Sequence, residues 1–325
     1  MGQAGHSTKA LSEETQSLGS VRVEVHRVPA GALWEIALTR VPPQLSSHGS
    51  DRLPGCGTPP HATPVLLVHG SFSNRGFWIS NKGIGLAPFL SSRGYDVWVV
   101  DLRGHGLSWH GPDFTSITAE DHIQGDLPAA VRYVCETTGK PLFLAGHSAG
   151  GIILASYLSV SRLKPDRLLG VALFGAQLAY GEEFLKVPAL AFLAEVLVTL
   201  LGRIPARLLG LGPEAEPAAE MLEFIRWKKC GGKWMDSRGF SYEEGLKAVE
   251  TPVLVVAGAA DRNDPPAGCK KLMDAFGSAD KQFVLLGRTQ GFSRDYDHIG
   301  MIVSKEAARE VWPLLADWMD RKRPR

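Results

Sequence analysis

Short apolar runs recur along the chain and predict the buried strands of a parallel sheet. Most of them contain no polar residue, as expected of strands that are covered on both faces. Helical patterns separate the runs, and the last of these, Lys305–Arg321, repeats apolar residues at helical spacing. The alternation predicts an α/β fold with a mostly parallel sheet between two layers of helices. The predicted strands are Val65–Val68, Val97–Val100, Leu142–Ala145, Val171–Phe174, Val253–Ala257 and Gln282–Leu286.

The N-terminal region has a different pattern. Val21–Val28 and Leu33–Arg40 alternate apolar and polar residues, which predicts half-exposed strands on an antiparallel edge of the sheet. Residues 1–20 lack the apolar core of a secretory signal, so we interpret them as a flexible polar tail. Pro42–Pro64 is rich in Pro, Gly and Ser, which predicts a long surface connection.

Residues 181–250 are too many for one crossover between two strands, and their pattern is helical. Three apolar stretches separated by prolines predict an inserted helical cap: Val187–Leu201, Ile204–Leu211 and Ala218–Trp227. The cap is either a second layer packed on the core or a lid over a substrate pocket. We favour the lid, because the insertion follows a strand's carboxyl end, where open α/β sheets bind ligands. Residues 21–180 and 251–325 then form the core.

Composition narrows the classes of protein that the chain can belong to. Its 325 residues are 44% hydrophobic and 21% charged, with a net charge of +1, which gives no electrostatic argument for binding nucleic acid. The most apolar stretch, Val187–Gly202, contains Glu195 and is shorter than the ~20 residues that a membrane span needs. We therefore expect a soluble cytoplasmic protein without a transmembrane segment. No pattern indicates an oligomeric state.

Signals for cofactors and metals are weak. Neither a nucleotide P-loop nor a dinucleotide-binding glycine motif occurs at a predicted strand end, and no cluster of ligands has metal-binding spacing. The widely spaced cysteines are typical of incidental thiols in a reducing compartment: Cys56, Cys135, Cys230 and Cys269. We expect neither a cofactor nor a metal.

A serine on a predicted strand-to-helix turn is the strongest chemical signal. The strand Leu142–Ala145 leads into Gly146-His147-Ser148-Ala149-Gly150, and the helix-compatible run Ile152–Leu158 follows. Such a turn exposes the serine in strained backbone geometry, and glycines on either side remove Cβ atoms that would crowd it. The alternative is an ordinary glycine-rich turn. The flanking strand and helix favour Ser148 as an activated nucleophile.

A nucleophilic serine needs a base and an acid that orients the base. His298 lies on the loop after the last predicted strand, and Asp261 lies four residues after the preceding one. Asp264 is the alternative acid, although its place before Pro265 also suits a turn or the start of a helix. Ser148, Asp261 and His298 follow one another in the chain order that this arrangement requires.

The oxyanion of an acyl-transfer intermediate needs two backbone donors. One donor is expected to be the N–H of Ala149, directly after the nucleophile. The other is expected on the loop after Val68, where His69-Gly70 lets the chain turn back. Ser71 is our choice for this second donor, and Phe72 remains the alternative.

These motifs together resemble the α/β-hydrolase-fold serine hydrolases. The matching pieces occur in the expected order from about Val65 to the C-terminus: His69-Gly70, Gly94–Ser108, Gly146–Gly150, Gly258–Asp261 and Asp297-His298. Trp78, Leu86–Leu90 and Gly94–Trp98 are similar to the opening of acid-lipase-like members. The resemblance implies the three-layer α/β-hydrolase fold, and it implies that Asp101–Gly106 forms a structural turn near the site.

The resemblance also implies an activity. A carboxylesterase or lipase-like enzyme would cleave small-molecule esters through an acyl-enzyme on Ser148, and the Leu- and Ala-rich cap favours apolar substrates. An acyltransferase or a thioesterase would use the same three residues. A non-catalytic binding protein on this scaffold is disfavoured by the complete set of serine, histidine and aspartate. Fold alone does not choose among these functions.

Overall fold

The computed structural model of the protein describes residues 12–44, 62–108, 111, 113–161, 163, 165–177, 183–229 and 233–323. Within these ranges, nine strands form one sheet in the order β1-β2-β3-β5-β4-β6-β7-β10-β11, and two short strands pair separately. The strands are β1 Ser12–Leu18, β2 Val21–Pro29, β3 Glu35–Val41, β4 Pro64–Val68, β5 Asp96–Asp101, β6 Leu142–His147, β7 Leu168–Phe174, β8 Arg203–Ile204, β9 Glu216–Pro217, β10 Val253–Gly258 and β11 Lys281–Leu286.

The large sheet is parallel from β5 to β11 and antiparallel at its N-terminal edge. Strands β5, β4, β6, β7, β10 and β11 pair in parallel, whereas β1, β2 and β3 pair antiparallel and join the rest through β5. All residues of β4, β5, β6 and β10 are buried. This explains their uninterrupted apolar sequence, because each strand is covered on both faces. The predicted fold class is confirmed.

Helices cover both faces of the sheet. Side chains of one face pack against α3, α4 and α9, and those of the other face pack against α1 and α11, so the sheet divides the core into two large apolar clusters. The helices are α1 Leu86–Ser92, α2 Ala119–Asp121, α3 Leu127–Thr138, α4 Ala149–Val160, α5 Pro188–Leu201, α6 Ala206–Leu209, α7 Ala218–Lys228, α8 Tyr242–Leu246, α9 Pro266–Ala275, α10 Gly300–Val303 and α11 Lys305–Lys322.

The N-terminal tail needs a correction. Residues 1–20 were expected to be a flexible polar tail, but Ser12–Leu18 forms strand β1 and pairs in antiparallel register with β2. Most of its side chains are exposed. An edge strand that gains its stability from backbone pairing does not need the apolar alternation on which the prediction relied. Residues 1–11 lie outside the described part of the chain, as does most of the predicted connection Pro42–Pro64.

The segment between β7 and β10 carries the predicted cap helices. We call its described residues, 183–229 and 233–250, the cap segment. Helix α7 and helix α8 place Phe224, Trp227 and Tyr242 in one of the large core clusters. Helix α5 instead shares a small separate cluster with α7 and leaves much of its surface exposed, including Phe192 at 67% and Leu200 at 80%.

The structure also bears on the membrane-span and cysteine expectations. No helix within the described ranges is long and apolar enough to cross a membrane. Two of the four cysteines, Cys135 and Cys269, lie in these ranges, and both are free thiols.

Candidate active site

Parallel strands bring the candidate residues to one edge of the sheet. Ser71 follows β4, Ser148 follows β6, Asp261 follows β10 and His298 follows β11. Because these four strands run in the same direction, the loops after them lie along the same edge. The four candidate residues are therefore expected to lie near one another at this edge.

Ser148 occupies a strained turn between β6 and α4. Its φ of 54° and ψ of −129° lie in a region that a residue with a side chain rarely adopts. The Ser148 N–H donates to the carbonyl oxygen of Phe174 at 2.9 Å, and its own carbonyl oxygen accepts the N–H of Gly151 at 2.9 Å. The turn is therefore held both by the neighbouring strand β7 and by the first turn of the helix.

The two glycines of the turn are required by close packing of the backbone. A Cβ atom at Gly150 would lie 2.1 Å from the carbonyl oxygen of His69, and one at Gly146 would lie 2.8 Å from that of Gly150. A larger residue at position 150 would push the turn away from the loop after β4, and one at position 146 would push the end of β6 away from the first turn of α4. Gly150 thus lets the serine turn approach the loop after β4, and Gly146 lets the strand approach the helix.

His298 and Asp261 form a hydrogen-bonded pair. Nδ1 of His298 lies 2.8 Å from Oδ2 of Asp261, and both side chains are mostly buried. The other carboxylate oxygen, Oδ1, accepts the N–H groups of Asn263 and Asp264 at 3.0 and 2.9 Å. Burial disfavours the charged imidazole, but the hydrogen bond and charge of Asp261 outweigh it and raise the pKa of His298.

Asp264 approaches the other nitrogen of the same ring. Its Oδ2 lies 3.8 Å from Nε2 of His298, which is beyond hydrogen-bonding distance, and its Oδ1 accepts from Nε2 of Gln177 at 2.9 Å. Burial raises the pKa of the Asp264 carboxyl above its usual range. The two acids of this loop therefore differ, since Asp261 binds Nδ1 and Asp264 only approaches Nε2.

The histidine lies beside the serine turn. Nε2 of His147, the residue before Ser148, lies 2.8 Å from the carbonyl oxygen of His298, and the two rings are 4.5 Å apart. Gly175, directly after β7, keeps this region open, because a Cβ there would lie 3.0 Å from the Asp261 carboxylate and 3.2 Å from Nδ1 of His298. Serine, histidine and aspartate are thus brought together at the edge of the sheet.

The loop after β4 lies against the nucleophile turn. A Cβ at Gly70 would be 2.9 Å from Cβ of Ser148, so no larger residue fits between the two. Among the residues that the structure describes, the N–H groups of Ser71 and Ala149 donate no hydrogen bond. Both groups therefore remain available to a ligand.

Phe72 differs from Ser71 in this respect. Its N–H donates to Oε1 of Glu216, a buried residue of the cap segment. Its φ of 63° places it in the left-handed region, as for Ser148. Of the two donors that the sequence left open, the Phe72 N–H is already bound, whereas the Ser71 N–H donates to none of the described residues.

The turn after β5 has the structural contacts that the resemblance implied. Oδ1 of Asp101 accepts the N–H of Arg75 at 2.6 Å, and Oδ2 accepts the N–H of Leu107 at 2.9 Å. Nε of Arg103 donates to Asp126 at 2.7 Å inside the protein. These charged side chains join neighbouring loops, as expected.

Two further histidines have structural surroundings. His69 accepts the N–H of Leu102 on Nε2 at 3.2 Å, and burial lowers its pKa to about 3, so it is neutral. His122 lies between Asp126, at 2.7 Å, and Glu220 of the cap segment, at 3.4 Å.

Sequence reasoning missed two side chains that border the site. Gln177 follows β7, and its side-chain amide donates to the Asp264 carboxylate. Glu216 lies in a proline-rich part of the cap, and its contact with Phe72 joins residues 144 positions apart. No local motif marks either residue, because each acquires its role through a distant partner.

Comparison with known proteins supplies independent information. The model of the alpha/beta hydrolase family matches residues 65–298. The chain is similar to human Lipase member K, with 35% identity over 118 residues that cover 32% of this chain and 30% of that protein. It is also similar to the poly(3-hydroxyalkanoate) polymerase subunit PhaC of Thiocystis violacea, with 23% identity over 87% of this chain and 90% of that protein.

A solved structure extends the likeness to the fold. A soluble variant of monoglyceride lipase from Saccharomyces cerevisiae, in complex with a substrate analogue, superimposes with a TM-score of 0.64 at 19% identity. That match covers 99% of this chain and 98% of the yeast chain. The lipase sequence match is much shorter, since the chain spans less than a third of Lipase member K. The strand-end site, the sheet order and the family match over most of the chain together show that the protein belongs to the alpha/beta hydrolase family.

Proposed function

We propose that the protein is a serine hydrolase that cleaves carboxylic esters with apolar groups. The observation that carries this proposal is the His298–Asp261 hydrogen bond of 2.8 Å beside the strained turn of Ser148. Membership of the alpha/beta hydrolase family and the similarity to lipases support it. In this role Ser148 is the nucleophile, His298 is the base and Asp261 orients His298.

The first half of the reaction forms an ester between the substrate's acyl group and the protein. Nε2 of His298 accepts the proton of Ser148 while Oγ attacks the substrate carbonyl carbon. Asp261 holds Nδ1–H, which leaves the Nε2 lone pair available, and its charge stabilises the imidazolium that forms. The tetrahedral intermediate then collapses, and Nε2–H gives its proton to the departing alcohol.

The N–H groups of Ala149 and Ser71 are the proposed donors to the oxyanion. Both are unbonded within the described residues, and both lie next to Ser148, one along the chain and the other across Gly70. The first turn of α4 adds favourable electrostatics, because a helix N-terminus stabilises negative charge. Loss of one such donor typically lowers kcat about 10²- to 10³-fold.

The second half of the reaction returns the protein to its starting state. A water molecule gives a proton to Nε2 of His298 and attacks the acyl-enzyme carbonyl, and the same two N–H groups bind the second oxyanion. Collapse releases the carboxylic acid, and the proton returns to Oγ of Ser148. In this proposal every proton transfer goes through Nε2 of His298, and no cofactor takes part.

The cap segment is proposed to act as a lid that shapes the apolar part of the substrate site. We assign residues 181–250 to the lid and residues 21–180 and 251–325 to the core. Helix α5 of the cap segment contains a single charged residue, Glu195, and exposes several leucines and a phenylalanine. A small-molecule ester with an aliphatic or aromatic group suits such a surface better than a highly polar one.

Transfer of the acyl group to an acceptor other than water is the second candidate. The match to the PhaC subunit favours it, since that match covers 87% of this chain rather than the motif region alone. The same three residues would form the acyl-enzyme, and a hydroxyl or thiol would replace water in the second half.

The experiment is an activity profile over p-nitrophenyl esters of graded acyl length, with Ser148→Ala as the control. We expect turnover of these esters, with a preference for chains longer than acetate, and loss of turnover in the variant. Product analysis with added alcohols and thiols separates hydrolysis from acyl transfer. A folded wild-type protein that releases no p-nitrophenol from any of the esters contradicts the proposal.

A further inference from the structure

The cap segment reaches the loop after β4 and holds one residue of it from two sides. The N–H of Phe72 donates to Oε1 of Glu216, and the Phe72 carbonyl oxygen accepts the N–H of Glu214 at 3.1 Å. Gly212 packs against the same residue so closely that a Cβ there would lie 2.2 Å from the Phe72 carbonyl oxygen. Both polar backbone groups of Phe72 are therefore bound by the cap.

Phe72 needs this support because its backbone conformation is unfavourable. Among the described residues other than glycine, only Phe72 and Ser148 have a positive φ. Such a conformation persists only where surrounding contacts enforce it. For Phe72 those contacts come from Glu216 and Glu214 rather than from its own loop, so the shape of the loop depends on the cap.

Glu216 is itself fixed in a buried charge network. It is 1% exposed, and its Oε2 lies 3.3 Å from Nε2 of His105, which is 2% exposed. Burial opposes the charge on both side chains, but their attraction outweighs it, lowers the pKa of Glu216 and raises that of His105 to about 9. The acceptor of the Phe72 N–H is therefore an ionised carboxylate held in one place.

The cap holds the peptide group between Ser71 and Phe72, which directly follows the proposed oxyanion donor, the N–H of Ser71. Ser71 lies between Gly70, which packs on Cβ of Ser148, and Phe72, which the cap holds. With both neighbours fixed, the direction of the Ser71 N–H is fixed as well. A donor displaced by about 1 Å loses much of its effect on the transition state.

We propose that Glu216 is a positioning residue of the oxyanion hole, which directs the Ser71 N–H by holding the Phe72 peptide from the cap. The inference rests on the proposed function. It assigns cap residues 212–216 to the catalytic apparatus, so the cap does more than cover the substrate. Correct docking of the cap and assembly of the oxyanion hole become one event.

Two variants of Glu216 separate hydrogen bonding from charge. Glu216→Gln and Glu216→Met both remove the charge opposite His105 and keep the side-chain length, but only glutamine keeps an oxygen that can accept the Phe72 N–H. With p-nitrophenyl butyrate as the probe, we expect Glu216→Met to lower kcat on the order of 10²-fold with KM nearly unchanged. Glu216→Gln should retain most of the wild-type kcat.

Glu223→Gln is the matched control. Glu223 is also buried in the cap and also accepts a backbone N–H from outside the cap, that of Glu120 at 3.2 Å, but its described contacts do not include Phe72. We expect its kcat to equal that of the wild type. If the glutamine and methionine variants of Glu216 lose activity equally, or lose it through KM alone, the pairing with His105 or the docking of the cap explains the residue and the positioning role is refuted.

The remaining outcomes also distinguish the two proposals. A wild-type protein that does not hydrolyse the ester overturns the proposed function, and the Glu216 role with it. A wild-type protein that hydrolyses the ester, together with a Glu216→Met variant of unchanged kcat, overturns the Glu216 role alone. If circular dichroism shows that the Met variant is unfolded, Glu216→Asp decides: its carboxylate keeps the charge but is one methylene shorter, so kcat should fall, and an unchanged kcat refutes the role.

Discussion

Replacing Asp261 by asparagine should invert the proton arrangement of His298. Oδ1 of Asp261 accepts two backbone N–H groups, at 3.0 and 2.9 Å, and Oδ2 faces Nδ1 of His298 at 2.8 Å. In Asp261→Asn the amide oxygen is expected to stay with the two backbone donors, because an amide NH₂ there would meet N–H groups. The NH₂ then faces Nδ1 and donates to it.

The expected loss follows from this inversion. Nδ1 must accept a hydrogen bond, so the imidazole proton moves to Nε2, and Nε2 can no longer take the proton of Ser148. The corresponding change in a known serine protease lowers kcat about 10⁴-fold, which is about 5.5 kcal/mol of transition-state stabilisation. We expect a loss of this order in Asp261→Asn, with little change in KM because the binding surface is kept.

Asp264→Asn is the matched comparison. Asp264 lies on the same loop and is equally buried, but it approaches Nε2 of His298 at 3.8 Å and is held by Gln177. We expect this variant to lose less than about tenfold in kcat, since the orientation of His298 does not depend on it.

The assay is steady-state hydrolysis of p-nitrophenyl butyrate by both variants, together with their melting temperatures. Near-equal melting temperatures show that each loss belongs to the chemistry. If Asp264→Asn loses the larger factor and Asp261→Asn stays within tenfold of the wild type, then Asp264 is the orienting acid and the assignment is wrong.

Three further predictions concern pH and packing. A protonated His298 cannot accept the serine proton, so kcat/KM should fall as the pH drops. Because the pKa of His298 is raised, the midpoint of this fall should lie above the ordinary imidazole value of ~6.5. A flat profile from pH 5 to 8 contradicts this prediction. Burial opposes the charge on His122, but Glu220 and Asp126 together outweigh it and raise the pKa of His122 to about 10. The resulting stabilisation is complete below pH ~6.5 and is lost as the pH rises through about 10, so the melting temperature should fall over that range, and less so in Glu220→Gln. Gly170→Ala should destabilise the fold by about 1–3 kcal/mol in urea without changing kcat, because the new Cβ would lie 2.5 Å from the buried ring of Trp318; an unchanged urea midpoint refutes the packing argument.

The parts of the fold that sequence predicted share one physical property. The strands β4, β6 and β10 are buried on both faces. Each therefore appears in the sequence as a short, mostly apolar run, which is typical of a strand covered on both sides. The closing helix was predicted over Lys305–Arg321 and observed over Lys305–Lys322, because its apolar positions face the core at helical spacing. Burial leaves a pattern in the sequence.

Elements stabilised mainly by backbone or polar contacts left no such pattern. Strand β1 has the polar sequence Ser-Glu-Glu-Thr-Gln-Ser-Leu, and it forms by pairing with β2. Helix α3 is preceded by a π-helical segment, His122–Asp126, which turns His122 and Asp126 into the buried network. Neither feature follows from hydrophobic periodicity.

The candidate site divides in the same way. Ser148, Asp261 and His298 could be proposed from the sequence because each follows a recognisable strand and the chain order restricts the choice. The sequence could not supply the physical reason for preferring Ser71 over Phe72, since that reason depends on whether a distant glutamate already binds one of the two N–H groups. Glu216 itself became visible only when the cap was placed against the loop.

The central claim is that Ser148 is an activated nucleophile, and covalent labelling tests it most directly. The protein is treated with a fluorophosphonate probe, which reacts with activated serines, and the modified peptide is identified by mass spectrometry. We predict one adduct per chain, on the peptide that contains Gly146–Gly150, and none in Ser148→Ala. A folded wild-type protein that stays unlabelled, or that carries the adduct on another residue, would contradict the account.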